Sequence, residues 1–300
     1  MKETNIIPDT ENLFRKNLDN LVSQYKNELI IKTINLYLSS NYREAEVVLL
    51  TQFPENSFND DSTVQYLMGH IKLKLEEYES ALNYFCHALN TEASQVPLIY
   101  DSRGLTCILQ HDYDRAIQNF KEACSYSQNN FHFHNHLAIC YQIIFSIQQE
   151  KEEKILNFSK SKISDSENGS KSLNSSNLDS NENEKEKERR KEKQNKKIKR
   201  KTENNQKIIN KIKEAFQEAL NINPNSYISL INLGTYYANE RQFEQAEKYY
   251  KRAESINKQS DQKDWKIYIN LAYLAFHEKE YQLSLGYFEV AIKLYKKIFV

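Results

Sequence analysis

The stretch Leu230-Ile231-Asn232-Leu233-Gly234-Thr235-Tyr236-Tyr237, followed by Ala246, Tyr250 and Ala253, decides the fold. The later set is spaced four and then three, which places it on one face of a helix. The same triplet recurs as Ala81, Phe85 and Ala88, and again as Ala116, Phe120 and Ala123. Looser copies are Ser284, Phe288 and Ala291, and Ile212, Phe216 and Ala219. Most copies have an aromatic three residues upstream: Tyr78, Tyr113, Phe243 and Tyr281. Gly69, Gly104 and Gly234 each precede the first residue of their triplet by 12, as Ala272 precedes Ser284. Glycine inside a helix costs about 1 kcal/mol relative to alanine. Its recurrence at one register therefore predicts a neighbouring helix too close to admit a side chain.

Two helices per unit, repeating every 34 to 38 residues, with Leu-Gly in the first and Ala, Phe, Ala in the second, resemble the tetratricopeptide repeat. The family's Trp is absent, with Gln65, Tyr100, His134, Leu230 and Tyr268 in its place. The resemblance implies an all-α, right-handed superhelical solenoid. Residues 1–25 are expected to cap it, with a helix over 10–24, and 26–150 to supply three helical pairs and the first helix of a fourth. Residues 208–300 are expected to complete the fourth pair and add two more. A weaker N-terminal unit has Tyr42, Ala45 and Leu49 in its second helix and Thr33 where the small residue belongs.

Between them lies an insertion. Ala138 and Ile212 are 74 residues apart where the other units have 12, an excess of 62. The segment 151–207 is low in complexity and charged, and residues 155–205 are expected to be largely disordered or projecting. Residues 159–180, rich in Ser, Asn and Asp, hold too little apolar surface to offset chain entropy. Residues 181–207 suit a solvated helix running into the second helix of the unit. Lys185 to Lys201 carries 11 basic and 3 acidic residues, a net of +8, so the rest of this formally neutral chain sums to −8. Such a run suits a nuclear-import signal at Lys196–Lys201, a polybasic arm or a plain solvated spacer. It lacks the interleaved aromatics on which single-stranded nucleic acids stack.

The composition narrows the function classes. Five Gly and four Pro leave little material for phosphate loops, and no Ser sits in a nucleophile-elbow setting. The four cysteines have no zinc spacing and suit small buried hydrophobes. His132 and His136 share a helical face, but no third metal ligand accompanies them. No cofactor and no catalytic activity are expected. The N-terminus lacks a secretory layout, so the cytoplasm is the expected compartment, with the nucleus as the alternative.

The resemblance further implies that first helices line a concave groove that receives a peptide or a protein. The groove residues it places there are Tyr66, His70, His132, His136, Ile231, Asn232, Thr235, Lys266, Asn270 and Tyr273. Some members of the family hold a peptide backbone with a ladder of Asn, and Asn232 and Asn270 occupy equivalent places before Leu233 and Leu271. An amide can donate and accept at once, matching both groups of a peptide bond. The reading is a protein-interaction scaffold, with an RNA-binding helical repeat that uses the polybasic segment as the alternative. An apolar final helix, with Phe288, Ile292, Tyr295 and Phe299, suggests self-association through 285–300, against which Lys293, Lys296 and Lys297 would make that side polar.

Overall fold

The computed structural model describes residues 28–52, 61–90, 96–167, 180–259 and 264–299, apart from the side chains of 155–195, 197, 198 and 297–299. The expected capping segment at 1–25 lies outside them. The described residues form twelve helices and no strand. In chain order these are α1 (Glu28–Leu38), α2 (Tyr42–Gln52), α3 (Ser62–Lys74), α4 (Tyr78–Asn90), α5 (Val96–Leu109) and α6 (Tyr113–Tyr126). There follow α7 (Phe131–Glu167), α8 (Ser180–Ile222), α9 (Tyr227–Asn239), α10 (Phe243–Gln259), α11 (Lys266–His277) and α12 (Tyr281–Phe299).

The chain divides into two compact units, one of Met1–Cys140 with Ala215–Val300 and one of Tyr141–Glu214. In the first, α1–α2, α3–α4, α5–α6, α9–α10 and α11–α12 pack as pairs. Second helices also touch the next first helix, as α4 does α5 and α10 does α11. This is an all-α helical-repeat solenoid, as the resemblance implied.

The glycines show what fixes each pair. A Cβ on Gly69 would lie 2.5 Å from the Phe85 ring, one on Gly104 2.6 Å from Phe120, and one on Gly234 2.6 Å from Tyr250. Each ring sits 16 residues downstream, on the second helix of the same pair, and all three are buried. The first unit has Leu49 where the ring would be, and there Thr33 fits, buried, with its hydroxyl donating to the Leu29 carbonyl at 2.8 Å. In the last pair Ala272 takes the glycine position, Phe288 packs edge-on against Tyr273, and the Ser284 hydroxyl donates to the Ala272 carbonyl at 2.8 Å.

The turn inside each regular pair is closed without glycine. Ser40, Glu76, His111, Arg241 and Lys279 all have φ between 57° and 66°. At each, the following N–H bonds a carbonyl five residues back, as Glu77 does Lys72 at 2.9 Å and Gln242 does Tyr237 at 2.9 Å. This is the left-handed Schellman termination of a helix. An aromatic then opens the second helix, which is the structural role of Tyr42, Tyr78, Tyr113, Phe243 and Tyr281.

The second unit is a helical hairpin. Lys211 lies 5.4 Å from the Tyr141 ring, and Lys201 pairs with Glu152 at 3.0 Å. Moving forward along α7 thus moves backward along α8, an antiparallel register. Ile143, Phe145 and Ile212 of this unit are buried, and Glu152, Lys201, Thr202 and Asn205 line a shared hollow. The insertion therefore lengthens both helices of the fourth pair. Residues 155–167 and 180–205, expected to be disordered or projecting with a solvated helix over 181–207, are helical. Their Glu, Lys, Arg and Gln content favours helix, and in such a sequence exposed charge is no obstacle. The Ser- and Asn-rich 168–179 lie outside the described residues.

Candidate functional site

The first helices carry the residues on which a binding surface was expected, and the structure divides them into two sets. Tyr66, His70 and His136 are buried, as are Ser102 and Asp101 beside them, so these three are corrected from groove residues to packing residues. His70 Nε2 lies 2.9 Å from Ser102 Oγ, and the Tyr66 hydroxyl lies 3.4 Å from the same oxygen. His136 Nδ1 lies 2.7 Å from Asp101 Oδ1. Each contact joins one first helix to the next across 32 to 36 residues, one repeat period. Burial, with a smaller contribution from the Lys74 charge, holds His70 well below the usual histidine value, so it is a neutral structural group.

The second set lies nearer the surface. Ile231, Asn232, Thr235 and Asn270 are half-buried, and Lys266 and Tyr273 are exposed. Asn232 and Asn270 stand 38 residues apart on α9 and α11, two first helices that touch. Each precedes a buried leucine, Leu233 or Leu271, which anchors its helix. Thr235 is engaged internally, accepting from the Tyr250 hydroxyl at 3.0 Å. Lys266 reaches over the Trp265 ring, 6.0 Å from its centre. His132 is half-buried, its backbone N–H donating to Asn130 Oδ1 at 3.1 Å.

Among the described residues no group of three or more His, Cys, Asp or Glu side chains could hold a metal ion. Cys107 and Cys140 are buried as expected, Cys124 is half-buried, and Cys86 is exposed. Burial pushes the Cys107 thiol up to about 11 and those of Cys124 and Cys140 to about 12, which keeps them protonated and unreactive. In the helical part of the polybasic segment, Lys196, Lys199 and Arg200 are exposed and Lys201 holds Glu152. No described helix is long and apolar enough to cross a membrane.

Two segments match the tetratricopeptide repeat, residues 62–94 and 215–248. These cover α3–α4 and the end of α8 through the start of α10. No curated protein sequence matches the chain. Among solved structures, a thermophilic TPR protein of Thermus thermophilus shares 15% identity over 78% of this chain and 91% of its own, at a TM-score of 0.51. PilF of Pseudomonas aeruginosa shares 14% over 94% of both chains, at 0.54. A monomeric mutant of IFIT1 bound to Gppp-AAAA shares 13% over 87% of this chain and 49% of its own, at 0.58. At these identities the likeness is one of fold.

Proposed function

We propose that this chain, which belongs to the tetratricopeptide-repeat family, is a protein-interaction scaffold whose first helices hold an extended peptide segment of a partner. The observation that carries the finer part of this reading is the pair Asn232 and Asn270. Their amides recur at one register on touching helices, and neither is hydrogen-bonded to any described residue. Two amides a repeat apart suit a peptide backbone, which offers a donor and an acceptor at every residue. Ile231 and Tyr273 beside them offer apolar contact for side chains of the bound segment, and Lys266 offers a cation for a carboxylate.

Selecting a random peptide library on the purified chain tests this directly. The selected peptides are expected to bind the Asn232→Ala, Asn270→Ala variant at least about tenfold more weakly, a loss of about 1.4 kcal/mol, while its melting temperature stays unchanged. Equal binding to wild type and variant would move recognition to another surface. An RNA oligonucleotide provides the competing arm. Tight, salt-sensitive binding that disappears when Lys196, Lys199 and Arg200 become Gln would favour the nucleic-acid reading instead.

A further inference from the structure

The pair α11–α12 leaves open a face that is buried or half-buried in the pairs before it. Eight of the eleven exposed large hydrophobics among the described residues lie on α11 and α12. One place after the glycine register, His70 and Leu105 are 6% and 7% exposed, whereas Tyr273 is 57% exposed. One place after the first small residue of the triplet, Leu82 is 9% exposed and Leu285 is 54%. Tyr273 and Phe276 meet α12 through Phe288 and Tyr281, with ring centres 5.7 and 5.6 Å apart, so the two helices present one continuous apolar strip.

On α12 the strip follows Tyr281, Leu285, Phe288, Ile292 and Tyr295, alternating four and three residues apart. That is the a/d spacing of a helix seam that packs against another helix. We propose that its occupant is a second copy of this chain, docked through α12 in antiparallel orientation about a two-fold axis. The spacing of Leu285, Phe288, Ile292 and Tyr295 reads three, four, three in both directions. A two-fold axis near Val290 therefore sets Leu285 against the partner's Tyr295 and Phe288 against the partner's Ile292. An interface of this kind must be self-complementary, and this strip is. Side chains of this size offer about 150–250 Å² when fully exposed. Half of that, over the six exposed residues Tyr273, Phe276, Tyr281, Leu285, Ile292 and Tyr295, gives roughly 600 Å², most of the about 800 Å² that each partner contributes to a standard interface.

Light scattering and sedimentation of the full chain over a dilution series test the proposal. The wild type is expected at about twice 35.5 kDa, falling toward 35.5 kDa only on dilution. Leu285→Glu is expected to remain at 35.5 kDa with an unchanged circular-dichroism spectrum. Adding Tyr295→Lys to it should restore the dimer, because the antiparallel register places the new charges opposite each other. Should Leu285→Glu lose its fold, Ile292→Lys provides the same comparison. A wild type at 35.5 kDa at every concentration overturns the proposal, whatever other protein then binds the strip. A folded Leu285→Glu or Ile292→Lys chain that still dimerises overturns it as well, and failure of the charge pair to rescue rules out the antiparallel register.

Discussion

Asn135 and Ser229, 94 residues apart in the chain, meet with both side chains buried, the Asn135 amide donating to Ser229 Oγ at 2.8 Å. The Ser229 hydroxyl donates in turn to Ser226 Oγ, also at 2.8 Å, and Ser226 caps α9 by accepting from the Ser229 N–H at 3.2 Å. The contact ties the first helix of the fourth pair to that of the fifth across the whole insertion. Asn135→Ala is expected to destabilise by about 1–3 kcal/mol, the cost of a buried hydrogen bond lost. Ser229→Ala should cost a similar amount, and the double variant less than the two together. Additive losses in urea denaturation would show that the two residues act independently.

Gly104 and Gly286 should respond in opposite directions to the same change. Gly104→Ala sets a Cβ 2.6 Å from the buried Phe120 ring, and overpacking of this kind costs about 1–3 kcal/mol. A Cβ at Gly286, in mid-helix on α12, meets nothing within 4 Å, so Gly286→Ala should gain about 0.5–1 kcal/mol from helix propensity. Melting curves that shift in the same direction for both variants would contradict the glycine-to-ring packing.

Arg241 has φ of 57° in the turn between α9 and α10. A non-glycine residue is strained in this region by about 1–2 kcal/mol. Arg241→Gly relieves that strain but frees the unfolded chain, so a net gain of about 0.5–1 kcal/mol is expected. A drop in melting temperature would show that the Arg241 side chain contributes more than its backbone costs.

His70 makes the fold sensitive to acid. Its folded value is well below the ordinary 6.5, while the unfolded chain titrates near that value. Below pH 6.5 the unfolded state takes up a proton that the folded state refuses. Stability from this group is therefore complete above pH 6.5 and falls by up to about 1.4 kcal/mol per pH unit beneath it. Melting temperatures measured from pH 7.5 down to pH 5 should fall more steeply for wild type than for His70→Gln. Parallel profiles would place the acid sensitivity elsewhere.

Replacing residues 155–204 with a short Gly-Ser link should leave the melting of the repeat unit within a few degrees of wild type. Mean residue helicity should fall, since most of the excised residues are helical. Loss of cooperative melting would mean that the repeats need the hairpin.

Much of this was legible in the sequence for a definite reason. Gly69, Phe85 and their counterparts repeat because one steric requirement repeats, and a repeated requirement leaves a repeated signature. The turns at Ser40, Glu76, His111, Arg241 and Lys279 were not legible, because the register around them imposes the left-handed conformation on residues that do not advertise it. The buried positions of Tyr66, His70 and His136 were missed for another reason. Register places them on first helices, but burial depends on what the next pair offers. The available signal was a polar partner one period downstream, Ser102 for His70, and one period upstream, Asp101 for His136. The helix over 181–207 was legible because its charge argues against a core and not against a helix, whereas the helical run over 155–167 carried no such signal.

The antiparallel register of the hairpin also bears on the order of assembly. Joining the halves of the repeat unit means closing a loop of 74 residues between Ala138 and Ile212, where the other pairs close 12. Each doubling of loop length costs about 0.6 kcal/mol in closure entropy. Once Glu152 meets Lys201, itself a closure of 49 residues, only 14 residues on one side and 11 on the other separate that contact from Ala138 and Ile212. A hairpin formed in that order would shorten the closure that brings Phe216 and Ala219 back to the first helix of their pair.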